Sequence, residues 1–334
     1  MKKMNRAAIV GVAGLAGMLF TSCGVYGPAP MPEETETYES TAETDEYIGD
    51  NQNEVRITEE NENTKAEAES VKDEDGNVLV NSSNFPDECF RSYIKKFVDT
   101  NGDDKLSTDE IDAVELIFAH GGKSKTYSDL ESLEGIEYFT NLKELQCYDT
   151  QLKTIDCSTL EKLETLEIQN TDISELDISN NRQLKKLDCY STKIKDLDVS
   201  NNTELEVLNV HKTDISELDV SMLPNLWELL CSGTGIEDID VSKNEKLQSL
   251  DVSDTSVSKV DISNNRELMG LYCINCSGIN DIDITNNEKL QEVRIEGTGI
   301  PKMDLSACDD IYYVSCNQDT VIEGVDDSII KREN

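Results

Sequence analysis

Basic residues are scarce in this chain. Its 334 residues include 30 Lys and Arg against 69 Asp and Glu, a formal net charge of −39. That imbalance argues against a nucleic-acid partner, because neutralising phosphates takes a basic surface. Aromatic residues make up 5% of the chain and Trp227 is the one tryptophan, so a core must be built from aliphatic side chains. The two histidines, His120 and His211, have no nucleophile or second metal ligand at a telling spacing. No catalytic constellation turns up elsewhere, and no enzymatic activity is expected. Long apolar runs are also missing: Ala7–Phe20 is too short for a spanning helix.

What the chain has instead is repetition, from about Phe139 to Cys316. Residues 182–200 read RQLKKLDCYSTKIKDLDVS and residues 203–221 read TELEVLNVHKTDISELDVS. Registered on the first leucine, the copies begin at Leu142, Leu163, Leu184, Leu205, Leu226, Leu247, Leu268, Leu290 and Ile311. The step is 21 residues, except for one of 22 after Leu268. Each copy follows L-x-x-L-x-[C/V/I]-x-x-T-x-[I/L/V]-x-x-[L/I/V]-D-[V/I/C]-S. This resembles the leucine-rich-repeat family, in which each copy is one rung of a solenoid.

Within a rung, positions three to seven alternate as a short strand whose fourth and sixth side chains point inward. A later apolar pair, such as Ile194 and Leu197, forms the opposite wall. One rung cannot bury both walls, so rungs stack about 4.8 Å apart. The ninth-position Thr stands where the family has Asn, and its hydroxyl can bond the turn that ends the strand. The expected fold is a mainly β or extended, curved solenoid of 21–22-residue rungs. A parallel sheet forms its concave face, and a small α-helical cap precedes it.

Two columns of polar and sulfur residues run through the rungs. Asp156, Asp177, Asp198, Asp219, Asp240, Asp261, Asp283 and Asp304 repeat at one position. Each either accepts backbone N–H bonds in the outer turn or, with Glu175, Asp196, Glu217, Asp238 and Asp281 beside it, helps attract divalent cations. Cys147, Cys189, Cys231, Cys273 and Cys316 fill the inward sixth position of alternate rungs. Two rungs separate each pair by about 9.6 Å, beyond the roughly 7 Å limit for a disulfide, so these are expected to be free, buried thiols. The pattern does not fix partners for Cys89, Cys157, Cys276 or Cys308.

Ahead of the rungs, Phe90, Tyr93, Ile94 and Phe97 recur at helical spacing after a capping residue and Pro86. The helix runs into D99-TNGDDKLSTDE-E110, which resembles an EF-hand calcium loop with Asp104 in place of the usual sixth-position Gly. The resemblance implies one Ca2+ held by Asp99, Asn101, Asp103, the Lys105 carbonyl, Ser107 and Glu110. Leu106 is the apolar eighth residue that pairs with a second loop, and no such loop stands out nearby.

The N-terminus resembles a bacterial lipoprotein signal: Lys2, Lys3 and Arg6, then the apolar run, then F20-T-S-C23. This implies lipidation at Cys23 and anchoring on the extracytoplasmic face of a bacterial membrane by two acyl chains. Removing the signal takes away three cations and leaves the remainder more acidic still. Residues 1–22 are read as signal, 23–77 as a disordered acidic tether, 78–113 as the cap, 114–320 as repeats and 321–334 as a C-terminal cap or tail.

Bacterial leucine-rich-repeat surface proteins share this plan, which implies recognition of an extracellular protein or polysaccharide through the concave face. The apolar exceptions on that face are Trp227, Leu230, Met269, Tyr272 and Ile274, with Tyr148, Tyr190 and His211 in one column nearer the N-terminus. The alternative is a structural or calcium-responsive spacer, for which the face would be uniformly polar.

Overall fold

The computed structural model describes residues 72–121 and 126–333. Cys23, the signal segment and residues 23–71 of the tether lie outside the described residues. The tether ends sooner than its composition suggests, because residues 73–77 already belong to a turn. There the Asp73 carboxylate accepts the Asp75 and Asn77 N–H groups at 3.0 and 2.9 Å.

That turn leads into strand β1 (Val78–Leu79), followed by helix α1 (Glu88–Phe97), strand β2 (Lys105–Leu106) and helix α2 (Thr108–Asp112). Asp87 caps α1 by accepting the Phe90 N–H, leaving one orphan donor fewer at the helix start. Phe90, Tyr93 and Ile94 are buried, whereas Phe97 is 52% exposed and lies against Tyr93 at a centroid distance of 4.9 Å. Phe85 joins the cap to the solenoid through ring contacts with Phe90, Tyr138 and Phe139. Gly135 is required at this junction: its φ is +100°, and a Cβ would lie 2.4 Å from the Phe85 ring.

The rungs supply β3 (Leu116–Phe118), β4 (Glu144–Gln146), β5 (Thr165–Glu167), β6 (Lys186–Asp188), β7 (Val207–Asn209), β8 (Glu228–Leu230), β9 (Ser249–Asp251), β10 (Gly270–Tyr272) and β11 (Glu292–Arg294). Next come β12 (Lys302–Asp304), β13 (Tyr313–Asn317), β14 (Val321–Glu323) and β15 (Ile330–Glu333). One parallel sheet of eleven strands runs from β3 to β11 in chain order, then to β13 and β15. The C-terminal segment thus closes the solenoid with a last parallel strand, while β14 pairs with β12.

Register follows the repeat. Leu145, Leu166, Leu187, Leu208, Leu229, Leu250 and Leu271 stand opposite one another and are fully buried. The ninth-position Thr hydroxyls donate back to the sixth-position carbonyl, as in Thr192 to Cys189 at 2.7 Å and Thr213 to Val210 at 2.7 Å. The eighth position turns left-handed, with φ of 55° at Asn170, 55° at Ser191 and 53° at Lys212. The five sixth-position cysteines are buried free thiols, and burial pushes their pKa values up.

On the opposite wall the third residue before each first leucine is an interior column: Asn181, Asn202, Asn244, Asn265 and Asn287, all fully buried. Each Asn amide donates to two carbonyls of the preceding rung, as Asn202 does to Ile178 at 3.0 Å and Asn181 at 2.9 Å. Phe139, Leu160, Leu223 and Cys308 fill the same place in the remaining rungs, so hydrogen bonding and apolar packing both serve there.

Candidate recognition surface and cap loop

With the fourth and sixth positions inward, the third, fifth and seventh positions present the sheet face. Trp227, at the second position of its rung, is 36% exposed and lines a groove of about 350 Å³ with Glu206, Asn225, Lys246, Gln248 and Glu267. Leu230 stands in register between Asn209 and Asp251 and is half-buried. Met269, Tyr272 and Ile274 are half-buried two rungs further on.

Tyr272 belongs to a separate cluster towards the C-terminus. Its hydroxyl donates to Glu292 at 3.0 Å, Arg294 binds the same carboxylate at 2.5 Å, and the Arg294 guanidinium lies 5.8 Å from the Tyr272 ring and 5.0 Å from the Tyr313 ring. Tyr312 also reaches Glu292, at 3.3 Å. Burial together with the neighbouring Glu292 holds the Tyr272 phenol above its ordinary pKa. Arg294, Tyr312 and Tyr313 were not singled out by the apolar exceptions, because an Arg held between two rings registers in sequence only as a charge.

The seventh-position column divides in two. Tyr148 stacks on His120 with centroids 4.3 Å apart and planes 8° from parallel, while Tyr190 meets His211 edge-on at 6.2 Å. Gln169 lies between the pairs, and its Oε1, like His120 Nδ1, is buried without a hydrogen-bond partner. Burial lowers the His211 pKa, so the ring is neutral at pH 7.

The opposite face carries the aspartate column. Each carboxylate accepts the N–H of the residue two places on: Asp156 from Ser158, Asp177 from Ser179, Asp198 from Ser200 and Asp219 from Ser221, all at 2.9 Å. Asp240, Asp261, Asp283 and Asp304 do the same. The side chain and the N–H of that Ser or Thr together hold the carboxylates below their ordinary pKa.

In the cap loop, Asp104 takes the left-handed turn with φ 59°, replacing the usual Gly. Asp99 accepts the Gly102, Asp103 and Asp104 N–H groups at 2.7, 3.2 and 2.9 Å. Asn101 accepts from Asp103, and Asp103 from Lys105. Glu110 is turned towards its own loop: one oxygen accepts from Thr100 N–H and Oγ1, the other from Ser107 N–H and Oγ. These bonds hold its pKa down to about 2 against the opposing effect of burial. Among the described residues no three acidic, His or Cys side chains stand close enough together to hold an ion. The residue types and the backbone turn suit calcium; the Glu110 carboxylate would have to leave Thr100 and Ser107 to join it.

Leu106 does have a partner strand. It pairs with Val78 in β1, and D73-E-D-G-N77 before β1 places Asp73, Asp75 and Gly76 where the third, fifth and sixth residues of a second loop would be. This half-loop lacks acids at the first and twelfth places, which hides it from a motif search. Its Asp73 binds the Lys105 ammonium at 2.9 Å.

A parallel sheet with one strand per rung and a capped first turn defines a leucine-rich-repeat solenoid. No protein-family profile matches the sequence, and no curated protein matches it significantly. Among solved structures, the chain is similar to internalin C2 of Listeria monocytogenes, with 21% identity, 72% of this chain and 97% of that one covered, and a TM-score of 0.56. Internalin F of the same organism shares 17% identity over 72% of this chain and 92% of its own, with a TM-score of 0.43. A leucine-rich-repeat protein of Leptospira interrogans shares 15% identity over 59% and 66%, with a TM-score of 0.41. The likeness is one of fold.

Proposed function

We propose that this solenoid is an extracellular recognition module that binds a protein ligand on its sheet face. In this reading the module is held to a bacterial membrane by lipid on Cys23, with the acidic segment from residue 23 as tether. The observation that carries it is the distribution of side chains. Thr, Asn and Asp columns are committed to the backbone, while the sheet face varies from rung to rung and carries an exposed Trp227 and the Tyr272–Arg294–Tyr313 cluster. Tryptophan, tyrosine and arginine are the residues that dominate binding hot spots. A uniform spacer has no use for them.

Selection of a random peptide-display library on the full chain, with a glycan array alongside, tests this. Selected peptides are expected to lose binding to Trp227→Ala and Tyr272→Ala, and glycans to give no comparable signal. Binders indifferent to both substitutions would remove the sheet face from the proposal.

The cap is proposed to take one Ca2+ through Asp99, Asn101, Asp103, Lys105 carbonyl, Ser107 and Glu110, with the weak affinity of extracellular loops, about 10⁻⁴–10⁻³ M. Calcium should then raise the melting temperature by mass action. Glu110→Gln, which removes the charge and keeps an acceptor oxygen for only one of Thr100 and Ser107, should abolish that rise; no rise in the parent chain would end the calcium reading.

A further inference from the structure

The sheet face sorts its charges unevenly. From β4 to β11 the third and fifth columns carry Glu144, Glu167, Asp188, Glu228, Asp251 and Glu292 against two cations, Lys186 and Arg294. Both cations are engaged, Lys186 by Glu167 and Arg294 by Glu292. Glu144 accepts from the Gln146 amide at 2.9 Å. Among the described residues no ion pair reaches Asp188, Glu228 or Asp251.

These three carboxylates surround an apolar centre. Along the fifth column the order is Asp188, Asn209, Leu230, Asp251, Tyr272, and along the third it is Lys186, Val207, Glu228, Ser249. Val207 and Leu230 are half-buried between the acids, and Trp227 stands at the near edge of the same rung as Leu230. Burial raises the pKa of all three acids. The Tyr190 N–H on Asp188 at 3.3 Å and the Ser253 N–H on Asp251 at 2.9 Å offset this only in part, as do Lys186 near Asp188 and Glu228 and His211 near Asp251. Partly desolvated carboxylates are ordinarily paired with a cation.

The missing cation is not a single small ion, since the acids do not converge on one point. From β6 to β9 they span three rung steps, about 14 Å. A polypeptide carrying several Lys or Arg side chains matches that spread. Long aliphatic stems suit Val207 and Leu230 while their charged ends reach the acids around them. The net charge of −39 would steer such a partner inward.

We propose that the patch of Asp188, Glu228 and Asp251 around Val207 and Leu230 binds a basic, Lys- or Arg-bearing segment of a protein partner. The inference rests on the sheet face being the recognition surface.

A 12-residue random peptide library selected on the full chain separates the two claims. Binders enriched in Lys and Arg are expected, with affinity falling as salt rises. The triple variant Asp188→Asn, Glu228→Gln, Asp251→Asn should weaken them about tenfold or more. The control triple on the opposite face, Glu175→Gln, Asp196→Asn, Glu217→Gln, removes the same charge and should change affinity less than about twofold. Equal losses in both triples would make the binding general electrostatics and overturn the patch. Binders without basic enrichment that still need Trp227 would overturn the cationic partner and leave the sheet face standing. Binders insensitive to every sheet-face substitution would overturn both claims. Melting curves accompany each variant, and Glu228→Gln alone, expected to weaken the basic binders measurably, replaces the triple if that one fails to fold.

Discussion

Carboxylates on the two faces of this solenoid are the same chemical group in the same repeat, yet their environments push them in opposite directions. On the turn face Asp177, Asp198 and Asp219 are solvent-exposed and are hydrogen-bonded by the side chain and the N–H of the serine two residues on, which lowers their pKa values. On the sheet face Asp188, Glu228 and Asp251 are desolvated by neighbouring rungs and lack an ion pair, which raises theirs. Net charge alone would treat both sets alike. What separates them is burial: Asp188 and Asp251 also accept the N–H two residues on, from Tyr190 at 3.3 Å and Ser253 at 2.9 Å, but there desolvation outweighs the hydrogen bond. The turn-face carboxylates keep their hydration, and the sheet-face ones are partly stripped of it. Among the described residues no cation stands beside Glu228 or Asp251 in an ion pair, and a ligand cation could supply one.

The turn face should break most severely at its interior. Asn202→Ala removes two bonds to Ile178 and Asn181 carbonyls and opens a cavity, and is expected to cost about 2–4 kcal/mol in denaturant unfolding. Asn202→Leu should cost less, because Leu160 and Leu223 already fill that place in other rungs. A loss for leucine equal to that for alanine would mean that the amide bonds, and not packing, hold this column.

The exposed aspartates should give a smaller, pH-dependent effect. Their folded pKa values lie below the ordinary carboxylate range, so their contribution is present above that range and is lost as pH falls through the lowered values. Asp198→Asn with Asp219→Asn keeps oxygen acceptors for Ser200 and Ser221 while removing the charge. The acid-side fall in melting temperature should therefore be shallower in the double variant than in the parent. Parallel curves would show that these hydrogen bonds do not favour the ionised form.

The sheet-face acids should show the opposite sign. A raised folded pKa means that the neutral form is favoured by folding, a benefit fully present below the unfolded pKa and lost as pH rises through the folded one. The triple neutralised variant is therefore expected to melt higher than the parent at pH 7, with the gap closing as the pH falls into the ordinary carboxylate range. A variant that melts lower at pH 7 would mean these carboxylates are already satisfied within the fold.

Much of this comparison was legible in the sequence, and the reason is repetition. The rung register, the inward cysteines, the Thr hydroxyl bond and the N–H acceptor role of the aspartates each recur often enough for one physical argument to serve many residues. The Asn column was harder to read, since Asn180 and Asn181 are adjacent in sequence and only Asn181 is buried. The left-handed eighth position is occupied by Asp, Asn, Ser, Lys or Gly, so no residue type announces it. Leu106's partner was missed because its half-loop lacks the outer ligands. The split between Trp227 and the Tyr272 cluster depends on which way long side chains turn, and residue spacing does not determine that.

The smallest stability effect is expected at the residue with the largest expected effect on binding. Trp227 is 36% exposed at the edge of the sheet face, and its groove is otherwise lined by polar and charged side chains. It fills no place in the inward columns, so Trp227→Ala should change unfolding free energy by less than about 0.5 kcal/mol. A desolvated aromatic anchor at the centre of an interface loses about 2 kcal/mol or more on truncation, close to a thirtyfold loss of affinity. Peptides selected on the parent chain should show that loss without a matching fall in melting temperature. Should Trp227→Ala unfold the solenoid, the indole is part of its framework; should it fold normally and bind undiminished, recognition does not run through this rung.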